Sequence, residues 1–172
     1  KVVLIDIDCK KPALYKIFNK KFNEKSEFGY LMNGKIKSSE FRLKRYKQTS
    51  LYLAINTSPY SEYGSWIKSG KVSQIIDAFK EQVDFIIFDT APLSVDGYVT
   101  DLAKLVEEMV IVVRTDVVHS SAINDAVATR NDIVEDIIGA EIVEDMVLST
   151  DRFNTGEFVT IMGTSGSGKS TL

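Results

Sequence analysis

Short, mainly apolar segments punctuate the chain at Val2 to Ile7, Asp84 to Asp89, Met109 to Val113 and Phe158 to Met162, the first two bounded by acids. Such runs, too short for helices and rich in branched residues, predict strands buried on both faces, as in a parallel sheet. Leu51 to Ile55 predicts one more. Between the runs the apolar period lengthens. Val72, Ile75, Ile76 and Phe79 recur at three- to four-residue spacing, as do Leu102, Leu105 and Val106, and Ile123, Ala126 and Val127 suggest a third helix. Strands alternating with helices predict an α/β fold, a parallel sheet with helices on both faces and right-handed crossovers.

One stretch breaks this rhythm. Residues 19 to 50 are polar and lysine-rich, with Arg42, Lys44, Arg45 and Lys47 close together. A solvated helix or loop face is the simpler reading of such a charge run. The alternative is an anion or partner site on an insertion over the sheet.

Length and composition narrow the classes. The 172 residues suffice for one domain with a sizeable core, and 44% hydrophobic with 26% charged residues is an ordinary globular balance. A net charge of −3 argues against non-specific nucleic-acid binding, which needs a basic surface. The single cysteine, Cys9, cannot form an internal disulfide, so a cytoplasmic location is expected. No apolar run approaches the ~20 residues of a membrane span, and no signal peptide is visible.

The chemistry sits where the apolar runs end. Gly163-Thr164-Ser165-Gly166-Ser167-Gly168-Lys169-Ser170 is G-x-x-x-x-G-K-S directly after a predicted strand, the context a phosphate-binding P-loop requires. Gly163, Gly166 and Gly168 let backbone N–H groups, with those of Ser167 and Thr171, turn inward around an anion. A helix beginning near Lys169 would point its positive end at the phosphates. Lys169 would reach the β- and γ-phosphates of ATP, and the Ser170 hydroxyl would ligate Mg²⁺. Two further runs end in acids: Asp6-Ile7-Asp8 closes the first, and Asp89, followed by Thr90-Ala91-Pro92, closes the second. In open parallel sheets ligands bind beyond the carboxyl ends of the strands. Acids there suit a metal or a hydroxyl, and an apolar run ending in Asp describes a Walker B element holding the Mg²⁺ shell. A single strand-end Asp is as readily a cap or turn residue. Three such motifs on three predicted strands reinforce one another.

Val3-Leu4-Ile5-Asp6-Ile7-Asp8-Cys9-Lys10-Lys11-Pro12 resembles the Walker A′ segment of bacterial tyrosine kinases, an apolar run followed by D-x-D-x-R-K-P. Phe85-Ile86-Ile87-Phe88-Asp89-Thr90-Ala91-Pro92 is similar to their Walker B, commonly followed by T-P-P. Met109-Val110-Ile111-Val112-Val113-Arg114-Thr115 is similar to their next strand. The resemblance, over residues 1 to 130, implies a MinD-like P-loop ATPase fold and transfer of the γ-phosphoryl of ATP to tyrosines of neighbouring subunits in capsular or exopolysaccharide export. It implies Asp6 and Asp8 for the metal and the attacking hydroxyl, and Asp89 in the Mg²⁺ shell. It also implies a membrane-anchored activator protein and a homo-oligomer as partners, at the inner face of the membrane. Lys10 stands where the family has Arg, and the seven scattered tyrosines form no terminal cluster.

Motif order departs from the family, which runs Walker A, Walker A′, Walker B. Here the P-loop comes last, and Gly156-Glu157-Phe158 through Thr171-Leu172 resembles the Walker A segment of ABC-transporter ATPases. The chain therefore divides into a kinase-like domain at 1–150, lacking its N-terminal Walker A, and a strand plus Walker A loop at 151–172 that is ABC-like or permuted. Three arrangements account for this: a fragment joining two pieces, which is preferred, a permuted P-loop domain, or a vestigial loop. A joined fragment predicts a tail that packs peripherally or stays poorly ordered. A permutation predicts Phe158 to Met162 parallel beside Asp84 to Phe88. The competing functions are a tyrosine kinase, an ABC exporter ATPase, a MinD-like switch hydrolysing ATP, and a non-catalytic scaffold.

The remaining candidates are weaker. His119, the sole histidine, excludes histidine metal clusters and Ser-His triads and is read as a surface residue. Cys9 is read as space-filling rather than reactive. Tyr63 and Trp66 are read as packing residues, with a nucleotide base as the alternative contact. Asp132 to Asp145 is read as a solvated acidic face.

Overall fold

The computed structural model describes residues 1–18, 22–92, 97–112, 128 and 158–163. Its elements run β1 (Val2–Asp6), α1 (Leu14–Ile17), α2 (Phe28–Met32), β2 (Lys44–Arg45), β3 (Leu51–Ala54), α3 (Tyr63–Lys68), α4 (Lys71–Lys80), β4 (Phe85–Asp89), α5 (Tyr98–Ala103), β5 (Glu108–Val112) and β6 (Phe158–Gly163). The strands form one sheet in the order β2-β3-β1-β4-β6-β5. Every pairing is parallel except that of β2 with β3. The predicted α/β class holds.

The two-residue period of the strands divides the core. Val3 and Ile5 of β1 and Ile86 and Phe88 of β4 point to one face, where Phe28, Trp66, Val72, Ile76, Val99 and Leu102 cover them. On the other face Leu53 and Ile55 pack with Leu14 of α1. The helices are amphipathic where they meet the sheet. In α4, Val72 and Ile76 are buried and Ile75 and Phe79 pack beside them, as their spacing predicts. Gly70 ends α3 and starts α4 at φ 74°, a left-handed turn that glycine adopts without steric cost.

Two expectations are corrected. The basic stretch from 19 to 50 is not a uniformly solvated face, because α2 buries Phe28, Gly29 and Met32 and the preceding Ser26 and Glu27 are buried as well. Nor does the terminal strand pack peripherally, as the joined-fragment arrangement predicts. β6 lies inside the sheet, with Ile86 opposite Phe158 and Asp89 opposite Ile161, and β5 pairs along its other edge. A smaller difference concerns Leu105 and Val106, which follow α5 in a turn rather than extending it, Val106 still being buried.

Candidate functional site

Asp6 and Asp89 are register partners on the adjacent parallel strands β1 and β4, each the last residue of its strand. Partners in register share a face of the sheet, and neighbouring strands run ~4.8 Å apart, so the two carboxylates arise side by side. Asp6 is fully buried and Asp89 partly so. The chain leaving β1 passes to the face of α1, whereas the chain leaving β4 passes to the opposite face through α5. The carboxyl ends of neighbouring strands whose connections leave toward opposite faces are the position where open α/β sheets bind ligands.

The loop after β1 is fixed by a dense set of backbone bonds. The Ile7 and Asp8 N–H groups both donate to the Asp89 carbonyl, at 2.9 and 3.1 Å. The Cys9 N–H donates to the Ile7 carbonyl at 2.8 Å, closing a three-residue turn around Asp8. Asp6 Oδ1 accepts the Asp8 N–H at 3.2 Å, and Asp8 Oδ1 accepts the Lys11 N–H at 3.1 Å. Both acids therefore serve as turn residues in part. A carboxylate offers about four lone-pair sites, so one such bond does not exhaust it.

Groups from the segment between β3 and α3 and from α5 hold this loop from behind. Asn56, buried after β3, donates from Nδ2 to the Asp6 carbonyl at 3.0 Å and to Cys9 Sγ at 3.6 Å. Its Oδ1 accepts the Gly29 N–H at 2.7 Å. The Tyr60 N–H donates to the Cys9 carbonyl at 2.9 Å. The Tyr98 hydroxyl of α5 donates to the Ile7 carbonyl at 3.2 Å and accepts the Ala91 N–H at 3.3 Å. Beneath them lies Glu27, a buried carboxylate satisfied by the Thr57 N–H, the Thr57 and Ser58 hydroxyls and the Tyr60 hydroxyl at 3.0–3.3 Å. Burial foremost, and then the Glu27 carboxylate, pushes the Tyr60 hydroxyl pKa well above its ordinary value.

Cys9 is fully buried, and its thiol pKa is pushed far up, first by burial and then by the charges of Asp6 and Asp8. A thiol held protonated is inert, in agreement with the space-filling reading. Tyr63 and Trp66 also prove to be core residues: Trp66 Nε1 donates to Asn33 Oδ1 at 2.7 Å, and its ring meets Phe28 edge-on. The sequence places Asp6 and Asp89 at strand ends, as observed, but gives no indication that Asn56, Glu27, Tyr60 and Tyr98 gather behind them. The available signal was the polar run Asn56-Thr57-Ser58 at the end of an apolar strand.

Gly163, the first residue of the G-x-x-x-x-G-K-S motif, ends β6 at the same edge of the sheet, two residues beyond the one opposite Asp89. Gly166, Ser167, Gly168, Lys169, Ser170 and Thr171 lie outside the described residues, as do His119, the helix predicted through Ile123 except Ala128, and the acidic segment from Asp132. The donor set at the edge suits Mg²⁺, a hard cation that takes one or two carboxylates and completes its shell with phosphates and water. Among the described residues no group of three or more His, Cys, Asp or Glu side chains is gathered that could hold a metal ion, so Asp6, Asp8 and Asp89 do not converge as a threesome. No described helix is long and apolar enough to cross a membrane.

No family model matches the sequence, and no curated protein matches it. Solved structures do match by fold. The chimerical protein CapA2B2 is 16% identical with a TM-score of 0.63, over 93% of this chain and 62% of its own. The VpsO kinase domain is 19% identical at 0.62, over 95% and 70%. The kinase domain of the Escherichia coli tyrosine kinase ETK is 11% identical at 0.64, over 95% and 56%. The chain thus spans less than two thirds of the first and third. None of these structures is an ABC-transporter ATPase, so the ABC resemblance of the tail gains no support. What the chain shares with them is the fold of bacterial tyrosine kinase domains.

Proposed function

We propose that this chain is an ATP-binding P-loop domain of the bacterial tyrosine kinase type, working in capsular or exopolysaccharide synthesis and export. The observation that carries the reading is the pairing of Asp6 with Asp89 at the carboxyl edge, with β6 ending in Gly163 beside them. A permuted arrangement, in which the last strand brings the P-loop to the strand that bears Asp89, accounts for that placement. The Gly163–Ser170 loop and Thr171 cradle the phosphates, and Lys169 balances their charge. Asp6, Asp89 and Ser170 would hold Mg²⁺, which neutralises charge on the phosphates when bound.

Asp8, set outward by its turn and only partly buried, orients the incoming tyrosine hydroxyl and accepts its proton. The tyrosyl oxygen then bonds to the γ-phosphorus as the bond to the β,γ-bridging oxygen breaks, and ADP leaves. Phosphoryl transfer of this kind needs positioning and charge neutralisation more than covalent help from the protein. A membrane-anchored activator and neighbouring copies of the chain would supply the tyrosines and hold the domain at the cytoplasmic face.

Incubation with γ-labelled ATP and Mg²⁺ tests the reading. Label on tyrosine supports the kinase. Label released only as free phosphate identifies a MinD-like ATPase using the same acids on water. Label in neither product, with no nucleotide bound, rejects catalysis and leaves a scaffold.

A further inference from the structure

We infer that Tyr98 is a positioning residue that ties together the two loops carrying the site acids, an inference that rests on the reading above. Its hydroxyl stands between the exits of β1 and β4, donating to the carbonyl of Ile7 and accepting the N–H of Ala91. Ile7 lies between Asp6 and Asp8, and Ala91 lies two residues after Asp89, so one oxygen adds a side-chain tie between the two acidic segments, beyond the direct bonds of the Ile7 and Asp8 N–H groups to the Asp89 carbonyl. The Ile7 peptide is clamped on both sides. Its N–H is taken by the Asp89 carbonyl, and its carbonyl accepts both the Cys9 N–H and Tyr98. That uses both lone pairs of the carbonyl oxygen.

The ring is buried and meets Tyr63 edge-on with centroids 4.3 Å apart, which fixes the direction of the hydroxyl. The bridge also depends on Ala91. Proline, which the resembling Walker B segments commonly have there, would offer no N–H. The device is therefore written into this chain's own residues. Because Tyr98 opens α5, movement of that helix would shift the acids relative to one another.

The test compares the full chain with Tyr98→Phe, which deletes one oxygen and keeps the ring. ATP affinity is measured by calorimetry with and without Mg²⁺, alongside urea unfolding. A net hydrogen bond of ordinary strength corresponds to a factor of about 2–10, so Tyr98→Phe should cut the Mg²⁺-dependent gain in ATP affinity about 3- to 10-fold. Affinity without Mg²⁺ should change less than about twofold, since the phosphate cradle is untouched. A purely structural tyrosine would lower the urea midpoint and leave the Mg²⁺ ratio unchanged, which overturns the inference. If Tyr98→Phe does not fold, Ala91→Pro, which deletes the donor N–H while also fixing φ there and restricting Thr90, must lower the same ratio, or the inference fails. A parent chain that binds no ATP overturns the reading of function itself, and the inference with it. A parent that binds ATP with an unchanged ratio in the variant overturns the inference alone.

Discussion

Gly29→Ala tests whether the packing behind the acidic loop is as close as the geometry indicates. A Cβ at Gly29 would come 2.3–2.6 Å from three atoms of the Tyr60 ring, well inside van der Waals contact. The ring has little freedom to yield. Its hydroxyl is bonded to Glu27 Oε1 at 3.0 Å, and its face lies against Trp66 with centroids 5.7 Å apart. Overpacking of this kind costs ~1–3 kcal/mol. Displacing the Tyr60 hydroxyl from the Glu27 carboxylate would add ~1.5–3 kcal/mol if the bond broke outright. Opposing these, alanine gains ~1 kcal/mol over glycine within helix α2. The steric cost prevails, and we expect a net loss of ~2–3 kcal/mol, a fall in Tm of ~5–10 °C for a domain of this size. Urea unfolding measures it, and a double-mutant cycle locates it. With Tyr60→Ala in the background, the same Gly29→Ala change should become neutral or stabilising, because only the helix preference remains. Gly29→Ala alone with an unchanged or raised midpoint refutes the clash. Asn56 and Tyr60 both hold the loop of Asp6 to Cys9, so the variant should also weaken any Mg²⁺-dependent nucleotide binding.

Further outcomes are expected on the same physical grounds. Asp89→Asn should weaken ATP binding with Mg²⁺ far more than without it, since the acid is assigned to the metal shell, and calorimetry under both conditions measures the difference. Lys169→Ala should cost about ten- to hundredfold in ATP affinity, from a charge-assisted contact of ~1.5–3 kcal/mol; unchanged affinity would show that the terminal loop does not bind the phosphates. The contribution of Cys9 to stability should be constant below pH 9.0, the ordinary thiol value, and fall above it, because the folded state holds the Cys9 proton more tightly than the unfolded chain does. The slope is at most ~1.4 kcal/mol per pH unit. Urea midpoints at pH 7.5, 9 and 10 follow it, and Cys9→Ser should remove the part of the slope that begins near pH 9.

The acids were legible in the sequence because their surroundings are local. Asp6 and Asp89 each end an apolar run, and in a parallel sheet the end of a run is the end of a strand at the ligand edge. The supporting residues were not legible, because their role depends on pairings across the fold. Asn56 meets Asp6 fifty residues away and Tyr98 meets Ile7 ninety-one residues away, and no periodicity encodes either contact. Glu27 misled for the opposite reason: among lysines it reads as solvated charge, yet it is buried because the loop after β3 presents a set of donors to it. The two-residue β2 also escaped, since Lys44 and Arg45 carry no apolar alternation and pair only along an edge.

The terminal strand poses the sharpest question, because position in the chain and position in the sheet disagree there. β6 comes last in sequence, yet β4 pairs with it on one side and β5 on the other, and it provides two of the five strand interfaces in the sheet order. Among the described residues β5 meets the rest of the sheet through β6 alone. A chain ending at residue 150 should therefore leave β4 with an open edge and β5 without a partner, both rich in unpaired backbone groups and apolar side chains. Since domains are stable by only ~5–15 kcal/mol, losing two of five interfaces should drop the urea midpoint severely or leave the chain aggregated. Hydrogen exchange should show the loss first at the Met109 to Val112 amides, whereas β1 and β3, paired with each other, keep more of their protection. The joined-fragment arrangement makes the contrary prediction. A tail lying outside the sheet could be removed with no change in midpoint or in β5 protection, and that result would take β6 out of the sheet and the P-loop away from Asp89.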